Sequence, residues 1–460
     1  MRLLEIALVV LVALSAFVAF NRRTPRRLLL WLCIADLLML VAHAIVEGPH
    51  WQMAPAYLAA LLFPALLAVR PMLLRRTMAA LMLVLLLGAC TASAILPMFR
   101  LPAPTGPYLI GTRIFHLVND HPSDPSSAGP DGKRQLMIQV WYPASPSHAP
   151  RAPYRKLAET TLMSSYQAVL WTHSRWNAPL AQHGAPFPLL LLNPAWNGRR
   201  TYYMYLVEDL VSHGYIVAGI DHTGNSGPTA FPDGHVGQPD PDPGLDFGTH
   251  TFAELSAYGA KQQEVQVNDN RFVLDQLQGW NQDEASPFYR RIDMNRVGAL
   301  GHSVGGSVAA QACLEDSRIK SALDMDGSFW GPVQATGLNK PFMMIEEDIQ
   351  EPTPQQMQQD HVALVDHLLD TGDLAMMKKS NAIRITLHGS THSSYTDRSL
   401  FSPLRRYSDF GAIPVAREYL IIRSYVLAFF NKTLRGENPA LLDGTDQSFP
   451  EATVEFLHKP

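Results

Sequence analysis

Cysteine is almost missing from this chain: three in 460 residues. Cys33 and Cys90 fall in apolar runs near the start, which leaves Cys313 alone in the remainder, so no disulfide can close there. A large core needs no such staple. No Cys/His pattern has zinc-finger spacing, and no P-loop or EF-hand spacing occurs, so neither metal nor cofactor is expected. Basic excess is also lacking. A net charge of −4 gives no electrostatic footprint for nucleic acid. Charged residues make up 17% of the chain, below the ~25% of ordinary globular domains. The deficit is concentrated in the first hundred residues. There is no internal repeat, and nothing in the sequence calls for an obligatory protein partner.

What stands in that front segment is apolar. Runs over residues 3–20, 28–46, 54–69 and 78–97 are each near the ~20 residues that a bilayer-spanning helix requires. They predict an all-α transmembrane region of about four helices at residues 1–99, ahead of a second domain at 100–460. A cleavable signal peptide fits poorly, because positive charge follows the first run instead of preceding it. Arg22, Arg23, Arg26 and Arg27 lie between the first two runs and Arg70, Arg75 and Arg76 between the last two, whereas residues 48–53 carry no arginine. The positive-inside rule then places both arginine loops in the cytoplasm and the second domain in the periplasm or exterior of a bacterial-type inner membrane. Pro55 and Pro64 make the third run a candidate re-entrant segment, which would invert that orientation. Asp36 has no basic partner in its run and reads as a helix-contact residue. Leu87-Gly88-Ala89-Cys90 resembles a lipoprotein cleavage box, but it is internal.

In the second domain the most telling run is Gly301-His302-Ser303-Val304-Gly305-Gly306. It follows a short apolar strand pattern and opens a helical one. A serine hydroxyl becomes a useful nucleophile when a sharp strand-to-helix turn projects it toward a base, and that turn tolerates almost no side chains on either flank. The G-x-S-x-G spelling meets the requirement. The turn also aims the first helix amide, Val304, at the place where an oxyanion would form.

A serine hydrolase of the α/β-hydrolase kind carries its acid and then its histidine after the serine, each on a loop beyond a later strand. Residues 319–325 end in Asp326-Gly327, and residues 382–387 end in His388-Gly389-Ser390-Thr391-His392. His392 is the candidate base and Asp326 the candidate acid. Asp324, and the cluster Glu346-Glu347-Asp348 with Glu347 at its centre, remain alternative acids. His302 and His222 are candidate substrate contacts, each with an equally simple packing or turn role.

Strand and helix patterns alternate from residue 108 onward, the signature of a mostly parallel sheet covered on both faces. Strands are predicted at 108–119, 136–142, 189–192, 216–220, 297–300, 321–325, 342–345 and 383–387, the first ones pairing antiparallel at one edge. Helices are predicted at 202–212, 252–278, 304–314, 354–369 and 415–433. Residues 224–250, rich in Pro, Gly and Asp, read as a lid-like insertion. Its Asp240, Asp242 and Asp246 read as solvated rather than calcium-binding. Residues 121–133 read as an exposed hairpin connection.

Four segments resemble the platelet-activating factor acetylhydrolases of the plasma type, isoform II, and their bacterial relatives. They are Val140-Trp141-Tyr142-Pro143-Ala144; Ser212-His213-Gly214-Tyr215 leading into Asp221-His222; the elbow itself; and Gly389-Ser390-Thr391-His392. The resemblance implies an α/β-hydrolase fold, a cofactor-independent serine esterase and a phospholipid-like ester with a short or oxidised acyl group. It also favours Asp326 as the acid, and it makes the Trp196 amide the second oxyanion donor. Here the chain departs from the family. Asn193-Pro194-Ala195-Trp196-Asn197-Gly198 stands where the family carries His-Gly-x-Gly, and Pro194 has no N–H to give. The Asn193 and Asn197 side-chain amides are candidate substitutes. Two other readings stand beside this one: a general carboxylesterase, or a polyester- or amide-cleaving relative, without lipid preference; and a membrane protein with a non-catalytic hydrolase-like binding domain.

Overall fold

A computed structural model describes residues 1–122, 129, 132–239, 248–404, 410–443 and 446–458. The chain divides into two compact units. The first takes in Met1–Arg100 with two later segments, Pro153–Trp171 and Arg398–Ser408. The second takes in the rest.

The first unit is built on four helices: α1 (Leu3–Ala19), α2 (Arg26–Val46), α3 (Ala54–Leu66) and α4 (Met72–Ile95). Its polarity is inverted relative to a soluble bundle. Leu3, Phe17, Trp31, Ile45, Leu73 and Leu87 point outward, while Ala16, Ala56, Ala59, Ala60, Ala79 and Ala89 are buried between helices. Small residues let helix backbones approach closely where no hydrophobic effect drives them together. Buried polar groups sit among them, and Ser15 Oγ donates to Asp36 Oδ1 at 3.2 Å. Among the described residues two helices, α2 and α4, are long and apolar enough to cross a bilayer. The four expected helices are present, and two of them have the length of a span. Helix α1 has 17 residues and α3 only 13, because the chain before Ala54 is a single 3-10 turn and the run beyond Leu66 leaves the helix. Arg76 Nε donates to Phe20 O at 3.4 Å, so the two arginine-bearing turns share one end of the unit.

The second unit is a mixed sheet with helices on both faces. Its strands are β1 (Leu109–Asn119), β2 (Arg134–Ala144), β3 (Arg151–Pro153), β4 (Trp171–Trp176), β5 (Phe187–Asn193), β6 (Ile216–Asp221), a separate ribbon of β7 (Thr229–Ala230) and β8 (Val236–Gly237), β9 (Ile292–His302), β10 (Ile319–Met325), β11 (Phe342–Glu347), β12 (Ile383–Leu387) and β13 (Ala452–Phe456). Sheet order is β13-β12-β11-β10-β9-β5-β6-β2-β1-β4-β3. The strands from β6 through β5, β9, β10 and β11 to β12 run parallel. They are covered on both faces, which is why Leu189 to Leu192 form an unbroken buried run without polar alternation. Strand β2 is antiparallel to both β1 and β6, as the edge pattern predicts, and β13 closes the far edge antiparallel to β12.

The covering helices are α5 (Met204–Ser212), α6 (Phe252–Gln282), α7 (Val304–Glu315), α8 (Gly331–Thr336), α9 (Pro354–Gln359), α10 (His361–Lys379) and α11 (Val415–Arg435). The helix predicted at 354–369 is two helices. Asp360 breaks it, its side chain accepting from the Val362 amide at 2.9 Å to cap α10, which then runs ten residues beyond the predicted end. That length matters for the site below.

Candidate active site

Every sequence-predicted site loop leaves the carboxyl end of a parallel strand: residues 194–198 after β5, Ser303 after β9, Asp326 after β10 and His392 after β12. Ligands bind at that edge of open α/β sheets. Ser303 adopts φ 58° and ψ −132°, a conformation that costs energy for a non-glycine residue and that turns the chain sharply from β9 into α7. The flanking glycines are obligatory. A Cβ on Gly301 would lie 2.0 Å from Gly305 O, and one on Gly305 would lie 2.2 Å from Asn193 O and 2.5 Å from Pro194 O.

His392 Nδ1 meets Asp326 Oδ2 at 2.7 Å, and the other oxygen, Oδ1, accepts from the Glu347 amide at 2.7 Å. Asp326 is buried, at positive φ, with its own N–H donated to Ile345 O at 2.8 Å. The carboxylate is therefore held by one backbone amide at the end of β11, and the Asp326 backbone is tied to the same strand. Among the four alternative acids, Asp324 lies on the strand below, against the Cα atoms of Gly306 and Gly327, rather than on His392. Burial, reinforced by Asp373, Asp326 and Glu346, pushes its carboxyl well above the usual range, so it is a neutral packing group. Glu347 reaches Asp326 through its backbone; one side-chain oxygen also lies within 4.8 Å of the Asp326 and His392 ligand atoms. Glu346 pairs with Arg384, and Asp348 Oδ2 pairs with His388 Nδ1 at 2.8 Å.

The two histidines predicted as substrate contacts are instead buried supports. His302 Nε2 meets His392 O at 2.9 Å, and its ring lies 4.8 Å from the His392 ring, bracing His392 from behind. His222 spans Asp269 Oδ2 (2.9 Å) and Asn193 Oδ1 (3.1 Å). Asn193 Oδ1 also accepts from Asn270 Nδ2 at 2.6 Å, while its own amide faces Leu300 O. The Asn193 side chain is thus committed to the scaffold and is not a substitute oxyanion donor. Sequence reasoning missed Asp269 and Asn270, both on α6, since a buried polar network leaves no periodic signal.

In the altered loop, Ala195 N donates to Tyr203 OH at 3.0 Å, Asn197 N to Asn225 O at 2.8 Å and Gly198 N to Ala195 O at 2.8 Å. Among the described residues, no acceptor takes the Trp196 or Val304 backbone N–H. These are the two amides that the sequence singles out.

Ser303, His392, Asp326, Trp196 and Val304 all line one cavity of about 530 Å³. Its far wall is α10, which contributes Asp366, Asp370 and Asp373, with Glu346 and Glu351 alongside. Burial lifts the Glu346 carboxyl to about 7 against the pull of Arg384. Burial, helped by Asp366, lifts Asp370 to about 6. Described residues 224–239, the first part of the predicted lid, contribute nothing to this wall and form the β7/β8 ribbon instead; Asp240, Asp242 and Asp246 lie outside the described residues.

The model of the family described as platelet-activating factor acetylhydrolase, isoform II, matches residues 135–239 and 259–435, more than half of the chain. Among curated proteins, a probable 1-alkyl-2-acetylglycerophosphocholine esterase of Arthroderma benhamiae is 25% identical over 81% of this chain and 97% of its own. A platelet-activating factor acetylhydrolase of Cavia porcellus is 22% identical over 77% of this chain and 84% of its own. Among solved structures, a ferulic acid esterase from Streptomyces cinnamoneus is similar with a TM-score of 0.61 and 28% identity, covering 77% of this chain and 98% of that one.

Proposed function

The chain belongs to the platelet-activating factor acetylhydrolase isoform II family and is a carboxylic ester hydrolase, and on that premise we propose that Ser303 is its nucleophile, acting through an acyl-enzyme. The observation that carries this reading is the 2.7 Å contact from His392 Nδ1 to a carboxylate held by the Glu347 backbone amide, beside Ser303 in one cavity. Asp326 fixes the imidazole tautomer with Nδ1 protonated, leaving the Nε2 lone pair for the serine. Ser303 Oγ attacks the ester carbonyl and its proton passes to His392. The amides of Val304 and Trp196 receive the oxyanion. Collapse expels the alcohol, which takes the proton from His392. Water then attacks the acyl-enzyme, giving its proton to His392, and the carboxylic acid leaves as that proton returns to Ser303.

The substrate is a phospholipid-like ester with a short acyl group. Curated relatives named for acetylglycerophosphocholine esterase activity support that choice. The cavity wall supports it too, since Asp366, Asp370 and Glu351 beside the Arg384 guanidinium offer partners for both charges of a zwitterionic head group. The helical unit anchors the chain in a membrane through α2 and α4, with the arginine end cytoplasmic and the hydrolase unit on the opposite side, in keeping with its outward apolar side chains. A second reading, a carboxylesterase without lipid preference, is favoured by the likeness to a ferulic acid esterase over 98% of that chain.

The test is hydrolysis of p-nitrophenyl acetate, butyrate and octanoate by the full chain in detergent, beside short-acyl phosphatidylcholines and feruloyl esters, with Ser303→Ala and His392→Ala as controls. Turnover that both variants lose, with a preference for the phospholipid, is expected. A preference for feruloyl esters would select the second reading. An inactive, folded wild type whose Ser303 ignores fluorophosphonate would refute both.

A further inference from the structure

The first unit holds a polar cluster that no step of ester hydrolysis uses. Glu5 in the first turn of α1, His43 near the end of α2 and His50 in the α2–α3 connection are all buried, and one ligand atom from each lies within 4.8 Å of the others. Glu47, one turn beyond His43, brings a second carboxylate whose Oε2 is 3.7 Å from His43 Nε2.

Hydrogen bonding sets the state of these rings. Gln52 Nε2 donates to Leu96 O at 3.2 Å, so its Oε1 is the atom facing His50 Nδ1 at 3.0 Å. An amide oxygen only accepts, hence Nδ1 carries the proton. The neutral ring then turns its Nε2 lone pair toward Glu5 Oε1, 3.1 Å away. Two acceptors facing at that distance require positive charge between them. His43 is held on its other side, Nδ1 lying 3.3 Å from Tyr57 OH, and among the described residues neither His43 Nε2 nor Glu47 Oε2 has a hydrogen-bond partner.

A proton on His50 would satisfy Glu5 but leave His43 Nε2 and Glu47 Oε2 facing each other at 3.7 Å, beyond hydrogen-bond reach, with Arg2 Nε no nearer to Glu47 Oε2 than 3.8 Å. One divalent cation answers all four atoms. We propose that Glu5, His43, Glu47 and His50 form a metal site for a first-row divalent ion, Zn2+ by preference, that ties the start of α1 to the α2–α3 connection. Two imidazoles and two carboxylates are an N2O2 set suited to such an ion. Bonds of ~2.0–2.2 Å would bring the ligand atoms from 4.8 Å to within ~3.5 Å of one another, a closure within side-chain reach. The partner of His50 Nδ1 is of the kind that metal-ligating histidines use to orient the ring. Arg2, whose Nε donates to Glu5 Oε1 at 2.6 Å, keeps one carboxylate oriented and offsets its charge.

The full chain, purified in detergent without chelators and dialysed against limiting Zn2+, is expected to retain about one ion by mass spectrometry, and with Co2+ to show the intense visible bands of a four-coordinate site. His43→Ala and His50→Ala should each weaken Zn2+ binding by at least ~100-fold while Ser303 still labels with fluorophosphonate. Binding to wild type no tighter than to the two variants would overturn the proposal. So would a wild-type Co2+ spectrum of the six-coordinate aquo kind, which decides the matter even if the variants fail to fold. Zn2+ that inhibits the esterase and is unaffected by His43→Ala would instead place the ion at Asp326, Glu347 and His392, and would likewise overturn it.

Discussion

Replacing Asp326 by Asn removes one charge and hardly any volume, so its effect isolates the carboxylate. Asp326 accepts two hydrogen bonds, from His392 Nδ1 and from the Glu347 amide, both 2.7 Å. An asparagine can keep its oxygen on the Glu347 N–H only by turning its NH2 toward His392. The ring must then accept at Nδ1 and carry its proton on Nε2, which is the tautomer unable to take a proton from Ser303. The expected loss in kcat is ~10^4-fold, about 5.5 kcal/mol. KM should change little, because Asp326 faces the histidine. Asp324→Asn is the counter-experiment. Asp324 is neutral by burial, so an isosteric amide should leave activity within about threefold. Both variants are assayed on p-nitrophenyl acetate, with melting temperature as the folding control. If Asp326→Asn retains a tenth of wild-type kcat, or Asp324→Asn falls as far as Asp326→Asn, the assignment of the acid is wrong.

Gly305→Ala should inactivate by overpacking: its Cβ would stand 2.2 Å from Asn193 O, so the loop carrying the Trp196 amide must move, at a cost of about 1–3 kcal/mol in stability and a larger loss in kcat, read by thermal melting and turnover together. Glu346 has its folded-state pKa raised from 4.5 to about 7, so its contribution to stability is complete below about pH 4.5 and fades as pH rises through about 7. Glu346→Gln should therefore gain in stability relative to wild type between about pH 5 and 8, by up to ~3 kcal/mol read from denaturation curves, and a constant difference across that window would contradict the buried-acid account. Against the acidic cavity wall, the p-nitrophenyl ester of a succinyl group should show at least ~10-fold lower kcat/KM than that of butyrate, with the gap narrowing in high salt; equal values would mean that the wall does not face the substrate.

The elbow was legible because it is local: Gly301, Ser303 and Gly305 are neighbours whose sterics follow from the turn alone. Helix α10 was not. Its capping by Asp360 reads in sequence as an ordinary polar residue within a helix, yet the resulting shift in length and direction decides which carboxylates wall the cavity. The roles of His302 and His222 were equally hidden, because a histidine beside a catalytic motif has the same spelling whether it contacts substrate or braces its neighbour.

Local periodicity and chain order thus determined the alternation of strands and helices, the candidate nucleophile, the candidate base and a short set of candidate acids, since each depends on residues near one another in the chain. Tertiary structure alone decided that Asp326 rather than Asp324 meets His392, that Asn193 is bound to His222 and Asn270, and that the Trp196 and Val304 amides are left without acceptors. It alone joined Glu5 to His50 across 45 residues. Hydrogen bonds and buried charges are short-ranged and join residues far apart in sequence, so their pairing exists only once the backbone has brought them together.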